Sequence, residues 1–228
     1  LDDPWSFENH MCVSPFPEWY TKDLGKRWLT METLLKHWPA NMWIQTPLEL
    51  TDRLLTEHDI KKDDIAEIIV DPPTYLRMYY SPDGYSSMMQ AQFSIPYMLA
   101  CLILDHTPGA NWCDETKLKD SEILALAAKI HGGNSDMLYM PQCFKNFQKG
   151  RHPVITVTIK TFSGKEYSET MEGHLGHPRM MMTPEQFKDR FRIQAAPTLR
   201  GDKLEQVADL LANVERCDDM AKVGELLR

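Results

Sequence analysis

Val154-Ile155-Thr156-Val157-Thr158-Ile159-Lys160 alternates apolar with polar residues, the period of a strand with one buried face and one wet face. Ser163-Gly164 follows as a turn, and Lys165 to Met171 returns, so the whole stretch reads as a β-hairpin. Upstream, Ile65 to Val70 reads as another strand, ended by Asp71-Pro72-Pro73. The signals around these strands are helical. Pro47 suits the first position of a helix running to about Glu57, with Leu48, Leu54 and Leu55 on its apolar stripe. Residues 74–90 read as a loop centred on Ser81-Pro82-Asp83-Gly84. The run from about Ala91 to Leu104 predicts a core helix, with Pro96 in its first turn or at a kink. Asp120 suits the N-cap of a helix through Ile130, and His131-Gly132-Gly133 is read as its stop. Thr183-Pro184-Glu185-Gln186 is a capping box with proline at the first helical position, and further helices are expected near 202–213 and 217–227. Residues 47–171 are thus α+β and 183–228 are all helical. The predicted fold class is α+β.

Composition narrows the partners. Lys and Arg total 25 against 33 Asp and Glu, a formal net charge of -8, which argues against nucleic acid because no cluster of cations is visible. A small anion stays open, since a pocket needs only two or three local cations. No apolar run approaches the ~20 residues of a membrane span, and Leu1-Asp2-Asp3-Pro4-Trp5 lacks the pattern of a signal peptide. Neither nucleic acid nor membrane is therefore an expected partner. The five cysteines (Cys12, Cys101, Cys113, Cys143, Cys217) are odd in number and none forms a C-x-x-C pair. Free thiols in a reducing compartment are expected, the cytoplasm or, in a eukaryote, the mitochondrial matrix, and no zinc site. Residues 1 to about 30 are rich in aromatics and proline (Trp5, Phe7, Pro15, Phe16, Pro17, Trp19, Tyr20, Trp28), so a packed, extended segment is expected there.

Four stretches, in order, carry a resemblance. They are Leu24-Gly25-Lys26-Arg27-Trp28 with Leu35-Lys36-His37-Trp38-Pro39-Ala40; Asp64 through Val70; Ala91-Gln92-Phe93-Ser94-Ile95-Pro96-Tyr97-Met98-Leu99-Ala100; and Gly176-His177-Pro178-Arg179 through Glu185, with Arg190-Phe191. Together they resemble the MmgE/PrpD family of cofactor-independent carboxylic-acid lyases and isomerases, which includes 2-methylcitrate dehydratases, cis-aconitate decarboxylases and iminodisuccinate epimerases. The resemblance implies a lead-in over residues 1–29, a small α+β lid over 30–178, and a C-terminal helical segment over 179–228. A large helical domain upstream has no counterpart in these residues, so the chain reads as the carboxy-terminal portion of such an enzyme. The implied activity is 2-methylcitrate-like dehydration of a small di- or tricarboxylate. Cis-aconitate-type decarboxylation, epimerisation, or a non-catalytic subunit needing a helical partner are the alternatives. No cofactor is implied. A homodimer or a helical-domain chain is the implied protein partner.

Breaking a bond beside a carboxylate builds negative charge, which cations and hydrogen-bond donors stabilise while a positioned base moves a proton. Lys36 stands at the family's lysine position, which implies carboxylate binding or proton transfer; on composition alone a solvated surface lysine is the commoner outcome. The resemblance implies substrate contacts from Asn41 as well, where some members carry histidine; an amide donates hydrogen bonds but relays no proton. His37 is the neighbouring imidazole that could compensate if it faced the same pocket. Tyr79 or Tyr80 falls near the family's substrate-contacting tyrosine, although two aromatics packing under a loop explains them equally well. Ser94 recurs near the base of the lid and could equally bond to its own helix. His174 and His177 lack acidic or thiol partners at metal-ligand spacing, so no metal is expected there. Met180-Met181-Met182 reads as packing material.

Overall fold

The hairpin lies where the alternation predicts it. A computed structural model describes residues 18–147 and 151–227. Strands β1 (Ile65–Asp71), β2 (Ile130–Gly132), β3 (Val154–Thr161) and β4 (Glu166–Glu172) form one sheet in the order β2-β1-β3-β4. The sheet is mixed: β1 pairs antiparallel with β3 and parallel with β2. Ile155, Val157 and Ile159 are buried, whereas the Thr156 and Thr158 hydroxyls pair across to Thr170 and Ser168 at 2.8 and 2.9 Å on the opposite face. One face of the sheet therefore carries the core and the other is polar.

Helices cover the apolar face. Helix α1 (Gln45–Glu57) packs on β3 and β4, and α2 (Ile95–Leu104) packs on α1. Every α2 residue from Ile95 to Ile103 is buried, as an all-apolar helix requires. Pro96 sits in its first turn, as the sequence suggests. The expected start near Ala91 belongs instead to a separate turn, Met88–Ala91. Helix α3 (Ser121–Ala127) starts at Asp120, whose carboxylate accepts from the N–H groups of Glu122 and Ile123 at 2.8 and 3.1 Å.

Three expectations need correction. The helix from Asp120 ends at Ala127, and Ile130-His131-Gly132 is strand β2, in register with Ile68, Ile69 and Val70. The glycines serve close backbone approach, because a Cβ on Gly133 would come within 2.0 Å of the Asp71 carboxylate. Helix α4 (Met140–Phe147) follows where no element was expected. The described part of the lead-in, from residue 18, holds a helical turn, Glu18–Thr21, and runs into a 3-10 turn, Leu29–Glu32, rather than continuing as extended chain. No proline interrupts residues 18–38, so nothing there forbids helical turns. Trp28 is 69% exposed. Trp5, Phe7, Phe16 and Cys12 lie outside the described residues.

The chain divides into two compact units, with the boundary between Leu34 and Leu35. The second unit holds the sheet, its helices and the C-terminal helices α5 (Pro184–Ala195), α6 (Asp202–Ala212) and α7 (Ala221–Leu226). The capping box at the start of α5 is realised in both directions: Thr183 Oγ1 accepts from Gln186 N at 3.2 Å, and Gln186 Oε1 accepts from Thr183 N at 2.9 Å. The observed fold is α+β. Among the described residues no helix is long and apolar enough to cross a membrane. Cys101, Cys113, Cys143 and Cys217 are unbonded.

Candidate active-site strap

Residues 36–41 form an irregular strap ahead of α1, and a single buried amide organises it. Gln45 Oε1 accepts from Trp38 N at 2.9 Å, while its Nε2 donates to the carbonyls of Trp38 and Ala40 at 3.0 and 3.2 Å. A fully buried amide satisfied in this way fixes the backbone around it. The Trp38 ring stacks on Trp112 at 5.9 Å. At the start of the strap, Leu35 N donates to Gly176 O at 2.9 Å. Gly176 has φ 98°, and a Cβ there would lie 2.2 Å from the Leu35 carbonyl, so the Gly176-His177-Pro178-Arg179 stretch needs its glycine for this crossing.

Three candidate side chains leave the strap in different settings. Lys36 is exposed and makes no hydrogen bond or ion pair among the described residues. His37 turns toward α1 and α5: its Nδ1 lies 3.1 Å from Glu49, and its carbonyl accepts a hydrogen bond from Arg190. His37, Glu49, Asp189 and Arg190 line a cleft of about 260 Å³ that does not include Asn41. Burial lowers the Arg190 pKa. Asn41 Oδ1 accepts from Trp43 N and from Arg77 Nε, both at 3.2 Å.

That second bond brings the turn after β1 to the strap. Tyr75 N donates to Leu138 O at 2.9 Å, Arg77 N to Thr74 O at 3.0 Å, and Ile95 N to Arg77 O at 2.7 Å. These bonds hold Leu76 at φ 58°, a left-handed conformation costly for a branched side chain. The Arg77 guanidinium lies 4.6 Å from the Phe93 ring centroid, and its Nη1 donates to Leu76 O at 3.2 Å. Burial lowers its pKa, and no carboxylate among the described residues reaches ion-pair distance.

The remaining candidates divide sharply. Tyr79 is 47% exposed and Tyr80 packs partly against the core. Ser94 is 1% exposed; its hydroxyl caps α2 by accepting from Tyr97 N at 3.2 Å, donates to Tyr79 O at 2.6 Å and meets Tyr85 Oη at 2.8 Å. The structure thus joins Asn41 to Arg77 and Ser94 to the Tyr79 backbone, and puts His37 in a separate cleft. Sequence reasoning missed Arg77. The available signal was one cation among Tyr75, Leu76, Met78, Tyr79 and Tyr80 in a loop leaving a strand.

His174 and His177 fall in the crossing between β4 and α5, joined there by His152, whose ring lies 4.0 Å from that of His177. Burial first, then the neighbouring histidines, pushes His152 down to about 4. Burial likewise takes His174 to about 4, and His174 Nε2 is buried without a partner. Among the described residues no group of three or more His, Cys, Asp or Glu side chains is arranged to hold a metal. A cleft of about 560 Å³ is lined by Asp52, Asp59, Lys61, Lys62 and His106 and includes none of the candidate residues.

Residues 38–216, more than half of the chain, match the family profile described as MmgE/PrpD C-terminal domain; Lys36 and His37 lie just upstream of the match. Over 178 residues the chain is 21% identical to a cis-aconitate decarboxylase of Homo sapiens, in an alignment covering 74% of this chain and 35% of that protein. The chain spans about a third of the length of that curated relative. The matched stretch runs from the strap through the sheet and α5 to just past the end of α6, and on that evidence the chain belongs to the MmgE/PrpD family.

Proposed function

We propose that this chain carries the substrate-binding lid of a cofactor-independent lyase acting on a small di- or tricarboxylic acid, with 2-methylcitrate-like dehydration as the reaction. In that reaction a proton leaves the carbon beside a carboxylate and hydroxide leaves its neighbour, giving a C=C bond and water. The observation that carries the reading is Lys36, a cation on an ordered strap with no acidic partner among the described residues. Its ammonium would stabilise the charge that builds on the carboxylate as the proton departs. Asn41 would donate a hydrogen bond, and Tyr79, the more exposed of the two tyrosines, would donate a proton. The rest of the site would come from a helical domain outside these residues. An odd number of cysteines with no C-x-x-C pair favours a reducing compartment such as the cytoplasm.

Decarboxylation of a cis-aconitate-like acid is the second reading, favoured by the name of the 21% identical relative. Against it stands Asn41, which relays no proton where the resemblance puts histidine in such members. Incubation with 2-methylcitrate, citrate and cis-aconitate, alone and with a helical-domain chain, separates the two. New ultraviolet absorbance from C=C formation is expected, with Lys36→Ala lowering turnover about 10²–10⁴-fold. Carbon dioxide from cis-aconitate without dehydration of 2-methylcitrate would install the second reading. No turnover in any arrangement would leave a binding module.

A further inference from the structure

We infer that Arg77 anchors one carboxylate of the substrate and sets the site's preference for acids over their uncharged analogues. This rests on the carboxylate-lyase reading above. A guanidinium partly removed from water loses hydration, and proteins ordinarily offset that loss with an acid. Elsewhere in this chain Arg53 meets Glu169, and Arg192 meets Glu185, Asp189 and Glu205, whereas Arg190, also partly buried, donates to the His37 carbonyl. Arg77 meets no acid among the described residues.

Its protein partners hold it without neutralising it. Nε donates to the amide oxygen of Asn41 at 3.2 Å and Nη1 to the Leu76 carbonyl at 3.2 Å, while the Phe93 ring lies against the guanidinium carbon at 4.6 Å. Among the described residues Nη2 reaches only the Met140 sulfur at 3.9 Å, a weak acceptor. Of five N–H groups, one on Nη1 and those on Nη2 therefore remain for a strong acceptor, the fork that matches two carboxylate oxygens. An aspartate at position 41 would cancel this charge; the asparagine orients the guanidinium and leaves its charge available. The left-handed Leu76 beside it is the conformational cost of aiming the fork, and it is held by hydrogen bonds on both sides.

The test follows the Arg77 Nε–Hε NMR signal of the whole chain during titration with tricarballylate and, separately, with its trimethyl ester. A saturable shift with the acid and none with the ester is expected. Arg77→Gln should weaken binding about ten- to a hundredfold, and Arg77→Lys, which keeps the charge but not the fork, should fall between. If the glutamine variant fails to fold, the lysine variant alone decides. Full binding by Arg77→Lys and Arg77→Gln, with loss in Lys36→Ala, would overturn the anchor and leave the lyase reading standing. Binding at Arg77 with no turnover of any acid would keep the anchor and remove the lyase. No saturable response anywhere in the chain would overturn the anchor, while turnover with a helical-domain chain decides the lyase reading.

Discussion

On α5 the Arg192 guanidinium meets Glu185 at 2.8 Å, Asp189 at 2.6 Å and Glu205 at 2.9 Å, whereas in the turn after β1 Arg77 meets an amide, a carbonyl, a thioether and a phenyl ring. The first arginine ties α5 to α6, and its three acids raise its pKa. The second has its pKa lowered by burial. Both are fully charged at neutral pH, so the contrast lies in what the charge is free to do. Acids close at hand consume a cation's field inside the fold. Neutral partners orient a cation and leave its field for something that arrives.

The largest expected effect belongs to the sheet core. Ile159→Ala empties a fully buried position on β3 and should cost about 3 kcal/mol, read from urea unfolding. Tricarballylate binding by the folded fraction should be unchanged; a loss of binding would mean that the turn holding Arg77 is not independent of sheet packing.

Acid comes next, and it separates both arginines from the histidines, because neither arginine titrates there. His174 has a folded pKa of about 4 against an ordinary 6.5, so the unfolded chain takes up the proton first as pH falls. Its contribution is full above 6.5 and is lost between 6.5 and about 4, roughly 3 kcal/mol in all. His174→Gln should flatten that limb of a urea-midpoint profile. An unchanged limb would assign the acid sensitivity to other groups.

Ser94→Ala follows, with a loss of about 1–2 kcal/mol from a vanished helix cap and the lost Ser94 hydroxyl bonds to the Tyr79 carbonyl and Tyr85 Oη. Smallest is Arg192→Gln, whose pairs are exposed on the acidic side and screened by salt. Its melting temperature should fall less than that of Ser94→Ala, and less again in high salt, with anion binding untouched. Arg77→Gln should reverse that pattern. If both arginines affected stability and binding alike, the distinction drawn between them would fail.

How legible each region was follows from the kind of signal it carries. The β3–β4 hairpin was readable because one sheet face is buried and the other wet, which writes a period of two into residues 154–160. The start of α5 was readable from its capping box, and the family resemblance from Gly176-His177-Pro178-Arg179, where Gly176 is forced by the Leu35 carbonyl. Strand β2 was not, since three residues carry no period and its glycines look like a helix stop. Arg77 escaped for a related reason. Its role depends on Asn41, 36 residues away, and on Phe93, neither of which any local pattern connects to it. Ser94 was visible as a residue, but only its burial and three contacts show how its hydroxyl is engaged.

A crystal of the whole chain soaked with tricarballylate addresses the carboxylate site most directly. The expected result is one carboxylate with its two oxygens about 3 Å from the Arg77 Nη atoms and the rest of the acid running along the strap toward Lys36. An acid seated instead in the His37–Arg190 cleft or beside Asp52 and His106, with Arg77 untouched, would contradict it.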